Sequence, residues 1–476
     1  NSWTNNSATG IKNVNGNTIV GSFSKTGAGG TVTLFTDNGS DVAGSVNNSN
    51  NNNFSNITVT GATTLLGLSN TNGGVPTKNV IGNIMNNWTG GSSAVTALVV
   101  SFSGNSTVSN NIISNISSAG AITGINSGSG TIENFIQNQV YNLTSTGAAA
   151  VIGISNTAGT TKNFFKNKIY SLEANNAGGS VNGFLVSGGA TVELQNNIIG
   201  DLRTPIANAA NPLIGINITG GTSVNAYYNT VFLNGSSTGA LFGSSAISAS
   251  TTPTLTLRNN IFVNNSAVSG AGLAVVYRRS STTLTSYATA SNNNLFYGSI
   301  IYNDGTNTDA TLLAYKARMS TRDAASVTEN PNFISTLGSS ADFLHINTTI
   351  ATQIESGGST IPGITDDFDG NIRNVSTPDI GADEFTGIAA DLTGPTITHT
   401  APTGSCVEGV RVISATITDA SGIPTSGIGL PVAYWRINAR PYTASTGTSI
   451  EAGVYEFSIG LGSVFRDVIS YYFVAQ

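Results

Sequence analysis

The chain has 476 residues, of which 9% are charged and 39% hydrophobic, with 56 Gly and a formal net charge of −6. That length admits two or three domains, and so few charges leave no basic footprint for nucleic acid and no polybasic anchor for a lipid surface. The single Cys, Cys406, excludes an intrachain disulfide scaffold, and no apolar run reaches the roughly 18 residues expected of a membrane span.

The first 300 residues are repetitive. "NNIISNI" at Asn110 returns in altered form as "NQVYNL", "NKIYSL" and "NIIGDL". Anchoring on the recurring Asn gives Asn17, Asn52, Asn83, Asn111, Asn138, Asn167, Asn197, Asn229, Asn260 and Asn294, at spacings from 27 to 35 residues. Imperfect repeats of this length call for a solenoid. Two residues after each anchor the side chain is always apolar, from Ile19 and Phe54 to Phe262 and Phe296. A second apolar column stands three residues before the anchor, from Val80 to Leu257, and a third stands thirteen before it, from Leu98 to Ile247. Apolar and polar residues alternate around each column, the period of a half-buried strand. The helical spacing of three and four residues is missing.

These three runs per repeat predict a right-handed parallel β-helix of ten or more coils, three strands to a coil, over residues 1–300. With strands about 4.8 Å apart, ten coils make a rod of about 45–50 Å. Asn at the anchor is expected to take the left-handed corner conformation and to pass amide hydrogen bonds from coil to coil.

Six coils keep thirteen residues between the third column and the next anchor, so length varies on the other arc, in loops such as "TSTGAA", "EANNAGGS" and "RTPIANAANP". Variable loops on one edge of a regular scaffold are where solenoids place binding. Thr144, Glu173, Asn175, Asn176, Arg203, Asn208 and Asn211 are the candidate contacts on that edge, for a glycan or a cell-surface protein. Glu173 and Arg203 share one offset in adjacent coils and are expected to pair as a surface salt bridge.

No catalytic residue is assigned. A glycoside hydrolase needs two carboxylates flanking the scissile bond, whereas no two of Glu133, Glu173, Glu193 and Asp201 fall in one strand. Lys162, Lys166 and Lys168 alternate along one strand and read as a solvated stripe or a weak anion contact. Threonines form no sustained Thr-x-Thr column of the kind an ice-binding face uses.

Composition changes near Ile300, before which lie 49 of the 57 Asn. "TLLAYKARMSTRDA" has the pattern of a short helix, followed by "ENPNFIS", "DFLHIN", "DDFDGNIR" and "PDIGADEF". In "DDFDGNIR", Gly370 permits a positive φ and Asp369 or Asn371 can bond nearby backbone, which describes a turn. Asp367, Asp369 and Asn371 also alternate as the oxygen donors of a calcium loop do, without the terminal bidentate Glu, so calcium is the one cofactor the spacing suggests. "GIAADLTG" at 387–394 reads as a linker. From 395 to 476 about seven short alternating runs, among them "RVISATITD", "VAYWRI" and "DVISYYFVAQ", suggest an immunoglobulin-like or fibronectin-III-like β-sandwich.

The order "NPNFIS…ADFLH…DDFDGNIRNVSTPDIGADEF" resembles the C-terminal end of secreted, surface-anchored right-handed β-helix repeat proteins of Bacteroidota. The resemblance implies that 301–386 supply the last coils and cap, with "DIGADEF" as the closing strand. It also implies secretion, with type IX export by analogy. The sandwich is similar to Ig-like modules appended to such proteins. The resulting expectation is a secreted or cell-surface structural or adhesion protein: an adhesin, a stalk or a filament subunit. The alternative is a carbohydrate-binding or carbohydrate-active β-helix. The start "NSWTNNSATGIKN" shows no capping element, so self-association at the solenoid ends is expected.

Overall fold

A computed structural model describes residues 2–3, 10–19, 21–37, 41–71, 74–404, 408–419 and 422–475. Cys406 and most of the opening stretch, Asn1 and Thr4 to Thr9, lie outside the described residues. The chain divides into two compact units, Asn1–Ala389 and Ala390–Gln476.

The first unit is a parallel β-solenoid of about nine turns. Three sheets of twelve, nine and ten strands run along it, and successive turns contribute neighbouring strands to each. The three apolar columns stack in register. Phe54, Met85, Ile113, Val140, Ile169 and Ile199 face one another in the third sheet. Val80, Val108, Phe135, Phe164 and Leu194 do so in the second. Leu98, Ile125, Ile154, Phe184 and Ile216 do so in the first. All are buried, and together they form one continuous core.

The anchor Asn residues form an unbroken ladder. Each side-chain amide N–H donates to the Oδ1 of the next anchor at 2.9–3.0 Å, from Asn17 to Asn294. The expected backbone assignment needs correction by one position. The left-handed residue is the one before the anchor, as at Asn51, Asn110, Gln137, Lys166 and Asn196, with φ between 54° and 58°. The anchor itself has turned the corner already, and its buried amide, as at Asn111, bonds backbone of the preceding turn through Asn83 N and Val80 O and the next anchor through Asn138 Oδ1.

A second correction concerns Lys162. It shares strand Thr161–Phe165 with the inward Phe164, two positions away, and is fully buried. Its ammonium bonds the equally buried Glu133 carboxylate of the preceding turn. Lys166 stands at the corner and Lys168 begins the next strand, so the three do not form a stripe.

The region 301–386 also departs from expectation. Ile300–Asn303 and Thr308–Asp309 end the first sheet, and a helix Leu312–Met319 follows, capped by the Thr311 hydroxyl. Tyr315 and Met319 on this helix are buried in the core, beside Tyr277, Tyr287, Phe296 and Tyr302. Asp323 ends the Asn ladder: its carboxylate accepts from the Asn294 amide at 2.9 Å and from the Tyr287 and Tyr315 hydroxyls at 2.6 Å. From there to residue 386 the chain adds no further coil, and "DIGADEF" is not a sheet strand. The segment folds back as a strap over the outer face of the third sheet, because that face is apolar there. Tyr170, Ile198, Phe232, Ile261 and Leu295 pack against Phe343, Leu344, Ile346, Ile354 and Ile380.

The second unit is a β-sandwich of two antiparallel sheets with four and three strands. Ile413, Ala415, Ile417, Tyr455, Phe457 and Ile459 of one sheet meet Ala433, Trp435 and Ile437 of the other in a separate core.

Candidate functional site

One group of ionisable side chains gathers where the strap meets the solenoid, apart from those formed by Lys12 and Lys78 with Asp37 and Asp41, and by Arg318 with Asp309. Corner residues of successive turns hold the strap. Lys166 Nζ meets Asp366 Oδ2 at 2.6 Å, Asn196 donates to the Asp366 carbonyl at 2.9 Å, and Asn259 donates to the Ser359 carbonyl at 2.7 Å. Corner residues project outward, so the same turn geometry that bends each coil also presents a row of anchors. Arg373 lies with its guanidinium 3.8 Å from the centre of the Tyr228 ring and donates to Asn196 Oδ1 at 2.8 Å and to Glu384 Oε2 at 3.0 Å.

His345 Nε2 is 2.7 Å from Asp369 Oδ2, and Asp383 stands close by. The Asp369 hydrogen bond, opposed by burial, raises the imidazole to about 9. Burial raises the Asp383 carboxyl, and His345 counteracts it. Potential ligand atoms of these three residues lie within 4.8 Å of one another, the one such group among the described residues. Lys168 faces the cluster: its ammonium is 5.1 Å from the Tyr170 ring centre and 5.3 Å from that of Phe343, and burial lowers its pKa.

A separate cavity of about 550 Å³ in the strap is lined by Glu355, Asp379 and Glu384, with Asn371 and Asn374. Burial raises the Asp379 carboxyl to about 7. The carboxylates are committed to the strap's own backbone. Asp379 accepts from the Ser356 and Phe385 amides at 2.7 and 2.8 Å. Glu384 accepts from the Asn374 and Asp379 amides at 2.7 and 2.9 Å, and Glu355 from the Gly387 amide at 2.7 Å. A general acid must present its proton to a substrate, and here the acceptor positions serve to fold a loop.

The residues read as a calcium loop are divided. One Asp367 oxygen accepts from the Asp369, Gly370 and Asn371 amides at 2.7–2.9 Å, the other from the Asn371 side chain and the Glu384 amide. Asp369 turns instead to His345.

On the variable-loop edge, Thr144, Glu173 and Arg203 are ladder partners in adjacent turns. Arg203 Nε meets Glu173 Oε2 at 3.1 Å with 44% of the Arg side chain exposed, so the pair contributes about 1 kcal/mol at most. Asn175, Asn176, Asn208 and Asn211 are spread over the following corner, the first two tied to the preceding turn and the last two to the next. Asn175 donates its backbone N–H to the Ser145 carbonyl, Asn176 its side-chain amide to the Thr146 carbonyl, and Asn208 accepts from the Leu241 amide. Asn211 Oδ1 accepts from Ser245. Of these strap residues only Asp369 stood among the candidate ligands; Lys166, His345, Asp379 and Asp383 were missed because no repeat or shared spacing links them in the sequence. The signal for the strap cluster was the outward column Tyr141, Tyr170, Phe232 on a face otherwise expected to be polar.

Comparison with protein-family models, with curated proteins and with solved structures gives no match to this chain. Fold and site define its class: a strapped parallel β-solenoid joined in sequence to a β-sandwich. No helix among the described residues is long and apolar enough to cross a membrane.

Proposed function

We propose that the chain is a non-catalytic structural or adhesion protein of the cell exterior, a rigid glycan-contacting or surface-contacting scaffold. The observation that carries this reading is the destination of its charged groups. Glu133 and Lys162 neutralise each other inside the core, and Asp367, Asp379 and Glu384 cap backbone amides of the strap. The resemblance of 330–386 to secreted Bacteroidota β-helix proteins supports an exported location, type IX export, and an Ig-like identity for the sandwich.

Incubation with a panel of plant and microbial polysaccharides tests the reading. Retention of the protein on a surface or polymer without release of reducing ends or unsaturated uronates is the expected result, and turnover of any polymer overturns it. One observation favours carbohydrate-active chemistry as a second reading: a carboxyl raised to about 7 in a cavity that holds two more. Should turnover appear, Asp379→Asn would have to abolish it.

A further inference from the structure

The second sheet carries a feature the linear sequence conceals. Its strands are short, and their outward residues align in straight ranks. Thr161, Thr191 and Ser223 form one rank across three successive turns, and Asn163, Glu193 and Asn225 form the next. The second rank continues through Asn134, whose Oδ1 accepts from the Asn163 amide at 2.8 Å. Glu193 is the one charged outward side chain in these three strands, and its Oε1 accepts from the Asn225 amide at 2.8 Å. The third rank reads Phe165, Gln195, Tyr227. All nine positions are partly exposed. Hydroxyls and amides therefore recur at steps of about 4.8 Å along the solenoid axis, interrupted in the second rank by Glu193. The third rank holds two aromatic rings, Phe165 and Tyr227, two turns or about 10 Å apart, between Ile136 and Arg258, and Tyr227 packs in part against the cluster of Tyr228, Ile361 and Ile364.

From this geometry we infer that the outer face of the second sheet, and not the variable-loop edge, binds an extended, uncharged β-linked polysaccharide lying along the solenoid axis. Three properties select that ligand. The ranks are almost free of charge, so they match a neutral polymer. Hydroxyl and amide groups both donate and accept, as sugar hydroxyls do. In an extended β-linked chain successive sugars alternate their faces, so equivalent C–H faces recur once per disaccharide. Phe165 and Tyr227, two turns apart, match one such period, and the electron-rich ring face attracts polarised C–H groups. The amide ladder holds the contacts rigid, so little side-chain freedom is lost on binding. The inference rests on the glycan-contacting form of the scaffold reading.

The test is retention of the full chain on cellulose and chitin particles, with Asn163→Lys, Phe165→Ala and, on the loop edge, Glu173→Lys. The first two point outward, and unchanged melting temperatures verify their folds. The expected result is retention by the parent and Glu173→Lys, weakened about tenfold in Asn163→Lys, the size of one lost contact worth 1.4 kcal/mol, and several-fold in Phe165→Ala. Equal retention of all variants, loss in Glu173→Lys alone, or no retention by the parent overturns the inference. So does thermal hysteresis of freezing that Asn163→Lys abolishes while particles bind nothing, which would assign the ranks to ice. None of these outcomes disturbs the scaffold reading, which only polymer turnover overturns.

Discussion

Asn167 uses every hydrogen-bonding valence of its amide. Its Oδ1 accepts from the Asn138 backbone and side chain at 3.0 and 2.9 Å, and its Nδ2 donates to Phe135 O and Asn197 Oδ1 at 3.0 Å each. Asn167→Ala strands several buried polar groups, each costing about 1–3 kcal/mol. A loss of about 3–5 kcal/mol is therefore expected in urea unfolding followed by circular dichroism, and an effect under 1 kcal/mol would show that water replaces the ladder. The buried pair behaves differently. Lys162→Met leaves Glu133 uncompensated and is expected to cost about 3–5 kcal/mol, whereas the double change with Glu133→Leu should recover most of that loss. The position of Lys162 was legible in the sequence: it has the same parity as Phe164, which belongs to an inward column. A charged side chain suggested solvent, but period-two geometry acts on the backbone and takes no account of charge. Gly159 shows the accommodation, since a Cβ there would lie 1.9 Å from Lys162 Cε.

At the scale of elements, the strap is the part whose stability depends on pH. The His345 imidazole is raised from 6.5 to about 9 by Asp369, so its stabilisation is full below about 6.5 and is lost as pH rises through 9. Asp379 is a carboxyl raised from 3.8 to about 7, so the folded strap binds a proton more readily than the unfolded chain. Its contribution is greatest below about 3.8 and falls as pH climbs to 7. Asp383 and Lys168, both facing His345, are shifted by burial. Asp383 adds to the loss of stability with rising pH, and Lys168 opposes it in the alkaline range. Limited proteolysis of residues 330–386 across pH should show two steps of increasing cleavage. His345→Gln is expected to remove the alkaline step and Asp379→Asn the acid one, and a profile unchanged by both would remove these residues from strap docking. The strap was half legible. Outward positions of the third sheet change from Ser55, Asn86 and Ser114 to Tyr141 and Tyr170, which demands a cover. What covers them could not be read, because 330–386 has no periodicity of its own and is held by contacts far apart in the chain, such as Lys166 with Asp366. Gly200 fits the same logic, since a Cβ there would lie 2.9 Å from Phe343 Cζ.

At the scale of the molecule, the two units have different kinds of cohesion. The solenoid is bound turn to turn, each turn contacting mainly its neighbours, so its stability accumulates along the axis. The sandwich closes on a small core centred on Trp435, 8% exposed between its two sheets. The solenoid was legible because one pattern of apolar spacing is written about ten times, and averaging over repeats cancels local exceptions. The sandwich is written once, yet its alternating strands were legible from period two and turn residues alone. With separate cores, the units are expected to melt in separate calorimetric transitions. Trp435→Ala should destabilise one of them by about 3–5 kcal/mol, the cost of emptying an aromatic core site. The other, identified by its loss in Asn167→Ala, should stay within error of the parent. If Trp435→Ala moved both transitions together, the cores would be coupled. The sandwich would then have to be counted as part of the solenoid's stability, not as a module it carries.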